Sequence, residues 1–136
     1  MPYTPMDPSD DPKARVLDEI GDISSVEIFN NQLLCAVYVR PEKTKSGLFL
    51  PSQTTDEDKI QGKVGLVLKK GAMAFVDDDN KWFAGASVDV GDWVFFRPSD
   101  GWSLSVTNPK TGEATLCRIL DDTNIRGRID YPDRIW

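Results

Sequence analysis

The chain of 136 residues contains no histidine at all. That removes the commonest general base near neutral pH and the commonest zinc ligand, and it rules out catalysis by a Ser/His or Cys/His pair. Cysteine is scarce: Cys35 and Cys117 are the only two, and no CxxC spacing joins them. Each lies in an apolar, strand-like run, LLCAVYV and ATLCRIL. Two reduced core thiols or one disulfide between adjacent strands both fit that setting. No apolar run approaches the ~20 residues of a membrane helix, and the first residues lack the basic-then-apolar pattern of a secretory signal. Positive charge is in deficit, with 16 Lys plus Arg against 22 Asp plus Glu and a net charge of −6. Phosphate backbones repel such a chain, so no nucleic-acid partner is expected. Lys69, Lys70, Arg126 and Arg128 are too few to overturn that balance.

What is present suits one compact domain. Hydrophobic residues make up 40% of the chain and aromatics 10%, enough to bury roughly two thirds of the unfolded surface. The opening MPYTPMDPSDDP has four prolines in twelve residues and reads as an extended arm. Asp11 followed by Pro12 is a helix start, with a capping carboxylate and a proline at the first helical position. Val16, Leu17 and Ile20 share one face of that short helix, and Gly21 closes it. The apolar face must dock on the domain or on a neighbouring subunit.

Strand signals dominate from Val26 onward. Leu33–Val39, Lys63–Leu68, Trp93–Phe96, Trp102–Val106, Ala114–Leu120 and Ile125–Ile129 are rich in apolar, β-branched and aromatic residues, with turn residues between them. The apolar flanks MAFV and KWFA around Asp77, Asp78, Asp79 and Asn80 predict a hairpin with its tip at those four residues. The fold expected is all-β, a small, partly open barrel or sandwich with one short N-terminal helix. Asp77 to Asn80 lack the glycine and distal glutamate of an EF-hand loop, so a solvated turn fits better than a cation site. Trp82, Trp93 and Trp102 are read as core or interface aromatics rather than a sugar or base platform. No cofactor or metal is expected, and no enzymatic activity.

The functional signal lies in the polar stretch after the first long strand. Leu48, Phe49 and Leu50 form an apolar triplet between Thr44-Lys45-Ser46-Gly47 and Pro51-Ser52-Gln53. Either the triplet folds back as a short strand, or it is a hook that buries itself in a groove on a partner.

Four segments in order carry a resemblance. Arg40 to Pro51 (RPEKTKSGLFLP), Gln61-Gly62-Lys63-Val64, Val90 to Phe96 (VGDWVFF) with Asp100-Gly101-Trp102, and Glu113 to Ile129 together resemble the GroES-type co-chaperonins, the chaperonin-10 family. The resemblance spans about residues 28–129. It implies a partly open β-barrel domain over 28–129, with an N-terminal arm and helix over 1–27 and a tail over 130–136. It also implies a homo-oligomer, a seven-membered ring that caps a GroEL-type chaperonin in its ATP- or ADP-bound state. By that analogy the mobile loop is about 42–61, and Gly47, Leu48, Phe49 and Leu50 are its partner-binding hook. Residues 72–88 would be a roof hairpin tipped by Asp77 to Asn80. The strands near Leu33–Val39 and Ile125–Ile129 would pair across subunits.

Three buried apolar side chains yield about 5–9 kcal/mol gross, while ordering the loop costs ~1–2 kcal/mol per residue. One loop therefore binds weakly, and seven on a ring bind through effective concentration. The long N-terminal extension, the aromatic roof segment (Phe75, Trp82, Phe83), the acidic Asp56, Glu57 and Asp58 and a tail carrying Trp136 depart from the compact members. In these respects the chain looks like the bacteriophage-encoded ones, which implies work in the host cytoplasm on capsid protein folding. The alternative is a virion component, a capsid decoration or cement protein on the same fold, with the capsid protein as its partner.

Overall fold

The computed structural model describes residues 11–39, 62–76, 83 and 86–134. The described residues run through α1 (Pro12–Ile20), β1 (Gln32–Val37), β2 (Val64–Lys70), β3 (Trp93–Phe95), β4 (Trp102–Thr107), β5 (Ala114–Asp121) and β6 (Gly127–Ile129). These six strands of the described residues form one antiparallel sheet in the order β4-β5-β1-β2-β3-β6. Among the described residues the expected β-rich class with one short α-helix is therefore observed, and the sheet is open between β4 and β6. Among the described residues no helix is long and apolar enough to cross a membrane.

The helix ends where its chemistry ends it. The Asp11 side chain accepts the backbone N–H groups of Lys13 at 3.1 Å and Ala14 at 3.4 Å, satisfying donors that a first turn leaves orphaned. At the other end Gly21 has φ +72° and donates its N–H to the Leu17 carbonyl. Val16 and Ile20 are buried, while Leu17 faces outward. The apolar face docks on the chain's own sheet: Val16 and Ile20 join Leu34, Ala36, Leu66, Cys117 and Ile119 in one core cluster. Asn108 fixes the joint by donating its side-chain N–H to the Glu19 carbonyl at 3.1 Å. A Cβ on Gly21 would meet that Asn108 side chain at 2.6 Å.

β1 reads as an unbroken apolar run because both of its faces are covered. Leu34 and Ala36 face α1, while Leu33 and Cys35 face a second cluster with Val67, Val88, Val94, Phe96 and Leu120. β1 lies between β5 and β2 and pairs with both. That corrects the expectation that this strand pairs across subunits, since its two hydrogen-bonding edges are used within the chain. β6 does lie at a sheet edge.

The hairpin expected around residues 77–80 is also modified at its first flank. Residues 72–75 form turns rather than a strand, and Phe75 sits at φ +61°. The reason is the close crossing of the chain before β1. A Cβ on Gly71 would lie 2.2 Å from the Asn30 carbonyl oxygen, and Met73 donates its N–H to that same oxygen at 2.9 Å.

Candidate functional site

The residues singled out as hook and roof tip, Gly47, Leu48, Phe49, Leu50, Asp77, Asp78, Asp79 and Asn80, lie outside the described residues, as do Trp82 and Trp136. What the structure does define is the pair of bases from which those connections leave the sheet.

The connection over residues 39–63 starts and ends on neighbouring strands. Tyr38 donates its backbone N–H to the Val64 carbonyl at 2.9 Å, and Phe96 donates to the Lys63 carbonyl at 2.9 Å. The neck is thus closed on both sides of Lys63–Val64. Tyr38 is buried and packs edge-on against Trp93, with ring centroids 5.5 Å apart. The Arg15 guanidinium of α1 lies over the Tyr38 ring at 5.7 Å, so the helix braces the neck. Gly65 lets the strands meet there, because a Cβ would be 3.1 Å from both the Ala36 carbonyl oxygen and the Phe96 ring.

The connection over residues 71–92 leaves from the opposite end of β2. Lys70 Nζ donates to the Val88 carbonyl at 2.8 Å and pairs with Asp89 at 3.6 Å. Gly91 and Val67 bond at 2.8 Å, and Val67 donates to the Asp92 carbonyl at 3.0 Å. The seven residues of β2 set the two bases about 20 Å apart.

Asp122 is the residue that ties the second base to the sheet. Its carboxylate is buried and accepts Asn31 Nδ2–H at 3.1 Å through one oxygen and the Phe75 N–H at 3.0 Å through the other. A buried carboxylate needs such donors to offset its lost hydration. Beside it lies an open cleft of about 480 Å³, with Phe75, Phe83, Val88 and Ile125 as its apolar lining and Arg126 and Arg128 among its polar residues.

Arg118 plays the matching part on β5. Buried in the sheet, its guanidinium donates to the carbonyls of Pro98 and Asp100 and lies over the Phe96 ring at 5.4 Å. Burial pushes its pKa down and the nearby Asp100 pulls it back up. Sequence patterning missed Asp122, Arg118 and Asn108, since their partners are far along the chain.

Among the described residues several basic side chains are met by acidic partners. Arg126 pairs with Asp100 at 3.7 Å, Arg128 with Asp92 at 3.3 Å and Lys70 with Asp89. Among the described residues no group of three or more His, Cys, Asp or Glu could hold a metal ion. Of the other tryptophans, Trp93 is buried in the core and Trp102 is 59% exposed on β4.

The cysteines are not paired. Cys35 lies opposite Arg118, and Cys117 opposite Ala36. Adjacent positions point to opposite faces of a sheet, so one thiol enters each core cluster. Both are free and buried, and burial pushes both thiols up to about 12.

Comparison of the chain with protein-family models and with curated proteins found no match.

Proposed function

We propose that the chain is a co-chaperonin of the GroES type, a ring-forming lid for a GroEL-type chaperonin whose grip is the hook Gly47, Leu48, Phe49 and Leu50. On this reading it is phage-encoded and helps fold a capsid protein inside the host's chaperonin cage. The observation that carries the reading is the order and spacing of the four segments Arg40–Pro51, Gln61–Val64, Val90–Phe96 and Glu113–Ile129. The connection holding the apolar triplet leaves from the Val64 end, where a closed neck returns the chain to the sheet. The aromatic connection that would form the roof leaves from the Lys70 end. A lid needs a gripping segment and a covering segment at different ends of its sheet, and this strand arrangement is compatible with that.

A weak hook repeated around a ring grips and releases as the partner's groove changes shape. Nucleotide chemistry then belongs to the partner, and this chain supplies apolar surface and a rigid base. Phe49→Asp is the direct test. Chaperonin binding is expected to be lost while the melting temperature of the isolated protein stays unchanged. A large fall in melting temperature would put Phe49 in the core and contradict the hook.

A further inference from the structure

The two edges of the sheet differ in how they are defended. β6 is three residues long and carries Arg128, with Arg126 just before it. Short length and charge are the usual protection of an edge against pairing with another chain. β4 has neither. Its six residues, WSLSVT, contain no charge, proline or glycine. Its register with β5 runs from Trp102↔Ile119 to Thr107↔Ala114 without a bulge. Among the described residues nothing pairs with its outer edge.

The side chains of this edge are sorted by face. Leu104 and Val106 pack half-buried against the core cluster beneath α1, and by alternation Trp102 shares their face while remaining 59% exposed. Ser103, Ser105 and Thr107 are exposed on the other face. From these observations we propose that the outer edge of β4 pairs with β4 of a second copy of this chain, antiparallel, about a two-fold axis at Leu104, which sets Trp102 opposite Val106 and Ser103 opposite Ser105.

The strand is complementary to itself under that operation. Any two-fold register that keeps the sheet continuous pairs even-numbered residues with even and odd with odd. Trp102, Leu104 and Val106 of both copies then form one apolar strip continuous with the two cores, and the serines and threonine meet on the other face. Aromatic with β-branched pairs and Ser/Thr pairs are favourable across strands. The chain's net charge of −6 opposes association elsewhere, but this strand contributes no charge to the repulsion. A C2 contact of this kind uses one patch twice. It does not rest on the lid reading: in a ring it would join two rings, and outside a ring it would make a dimer.

The test is the solution mass of the full chain by size-exclusion chromatography with light scattering, compared with Ser103→Lys/Ser105→Lys. Both positions are exposed, so the fold should tolerate the change, whereas the paired strands would set like charges opposite one another. The mass of the assembly is expected to halve, from dimer to monomer or from double to single ring. Ser103→Thr/Ser105→Thr keeps the strand uncharged and should keep the full mass. Ser103→Glu/Ser105→Glu, with charge of the other sign, should likewise halve the mass and covers the case in which the lysine variant fails to fold. A folded charged variant with unchanged mass, or a monomeric wild-type chain, overturns the proposal.

Discussion

The carboxylate of Asp122 accepts the backbone N–H of Phe75 at 3.0 Å across 47 residues of sequence. Its other oxygen takes the Asn31 side-chain amide at 3.1 Å, so one buried group holds together the turn before β1, the turn after β2 and the end of β5. Phe75 stays at positive φ, a backbone state that an aromatic residue seldom adopts unaided. The geometry around this carboxylate compensates for that strain.

Replacing Asp122 by Ala therefore strands two donors at a buried site. The expected loss is about 2–4 kcal/mol of stability, from the desolvation cost of each unsatisfied group. Asp122→Asn keeps one acceptor and should lose about half as much. Urea unfolding of the three proteins, at unchanged slope, checks both the size and the order.

Ile20→Ala tests whether the helix belongs to the domain. Ile20 is fully buried and part of the core cluster beneath α1, so the substitution should cost about 2–5 kcal/mol. A helix that docked instead on a neighbouring subunit would show its loss in assembly mass, with the melting temperature of the dissociated chain unmoved.

The cysteines carry a pH signature. Both folded thiols are pushed up to about 12 from an ordinary value of 9.0. Between those values the folded chain holds protons that the unfolded chain gives up. Stability is thus fully present below about pH 9 and declines as pH rises towards 12. A thiol reagent at pH 8 should find almost no reactive group in the native protein and two in denaturant, with or without prior oxidation. Replacing both cysteines by alanine should flatten the alkaline part of the stability curve that they contribute.

Local chemistry made much of this architecture readable beforehand. Asp11, Pro12 and Gly21 bracket α1 because capping is a matter of a few consecutive residues. The strands are visible for a similar reason, as apolar runs cut by turns. Strand order is a different kind of fact. Nothing local in LLCAVYV says that β1 sits centrally with both edges occupied, and the expectation of an inter-subunit pairing there failed on that point. The roles of Asp122, Arg118 and Asn108 were hidden likewise, since a polar residue between turns looks solvated until the fold brings its distant donors or acceptors. The two cysteines show the converse: the choice between core thiols and a disulfide stayed open in sequence, and the β1–β5 register decided it.

The most direct measurement is a pull-down of the folded chain with a GroEL-type chaperonin, with and without ADP or ATP. The control is the chain with Leu48, Phe49 and Leu50 each replaced by Ser. A lid should bind in the presence of nucleotide, and the triple replacement should abolish that binding without lowering the melting temperature. Failure of the intact, folded protein to bind under either condition would contradict the co-chaperonin reading and send the search to purified virions.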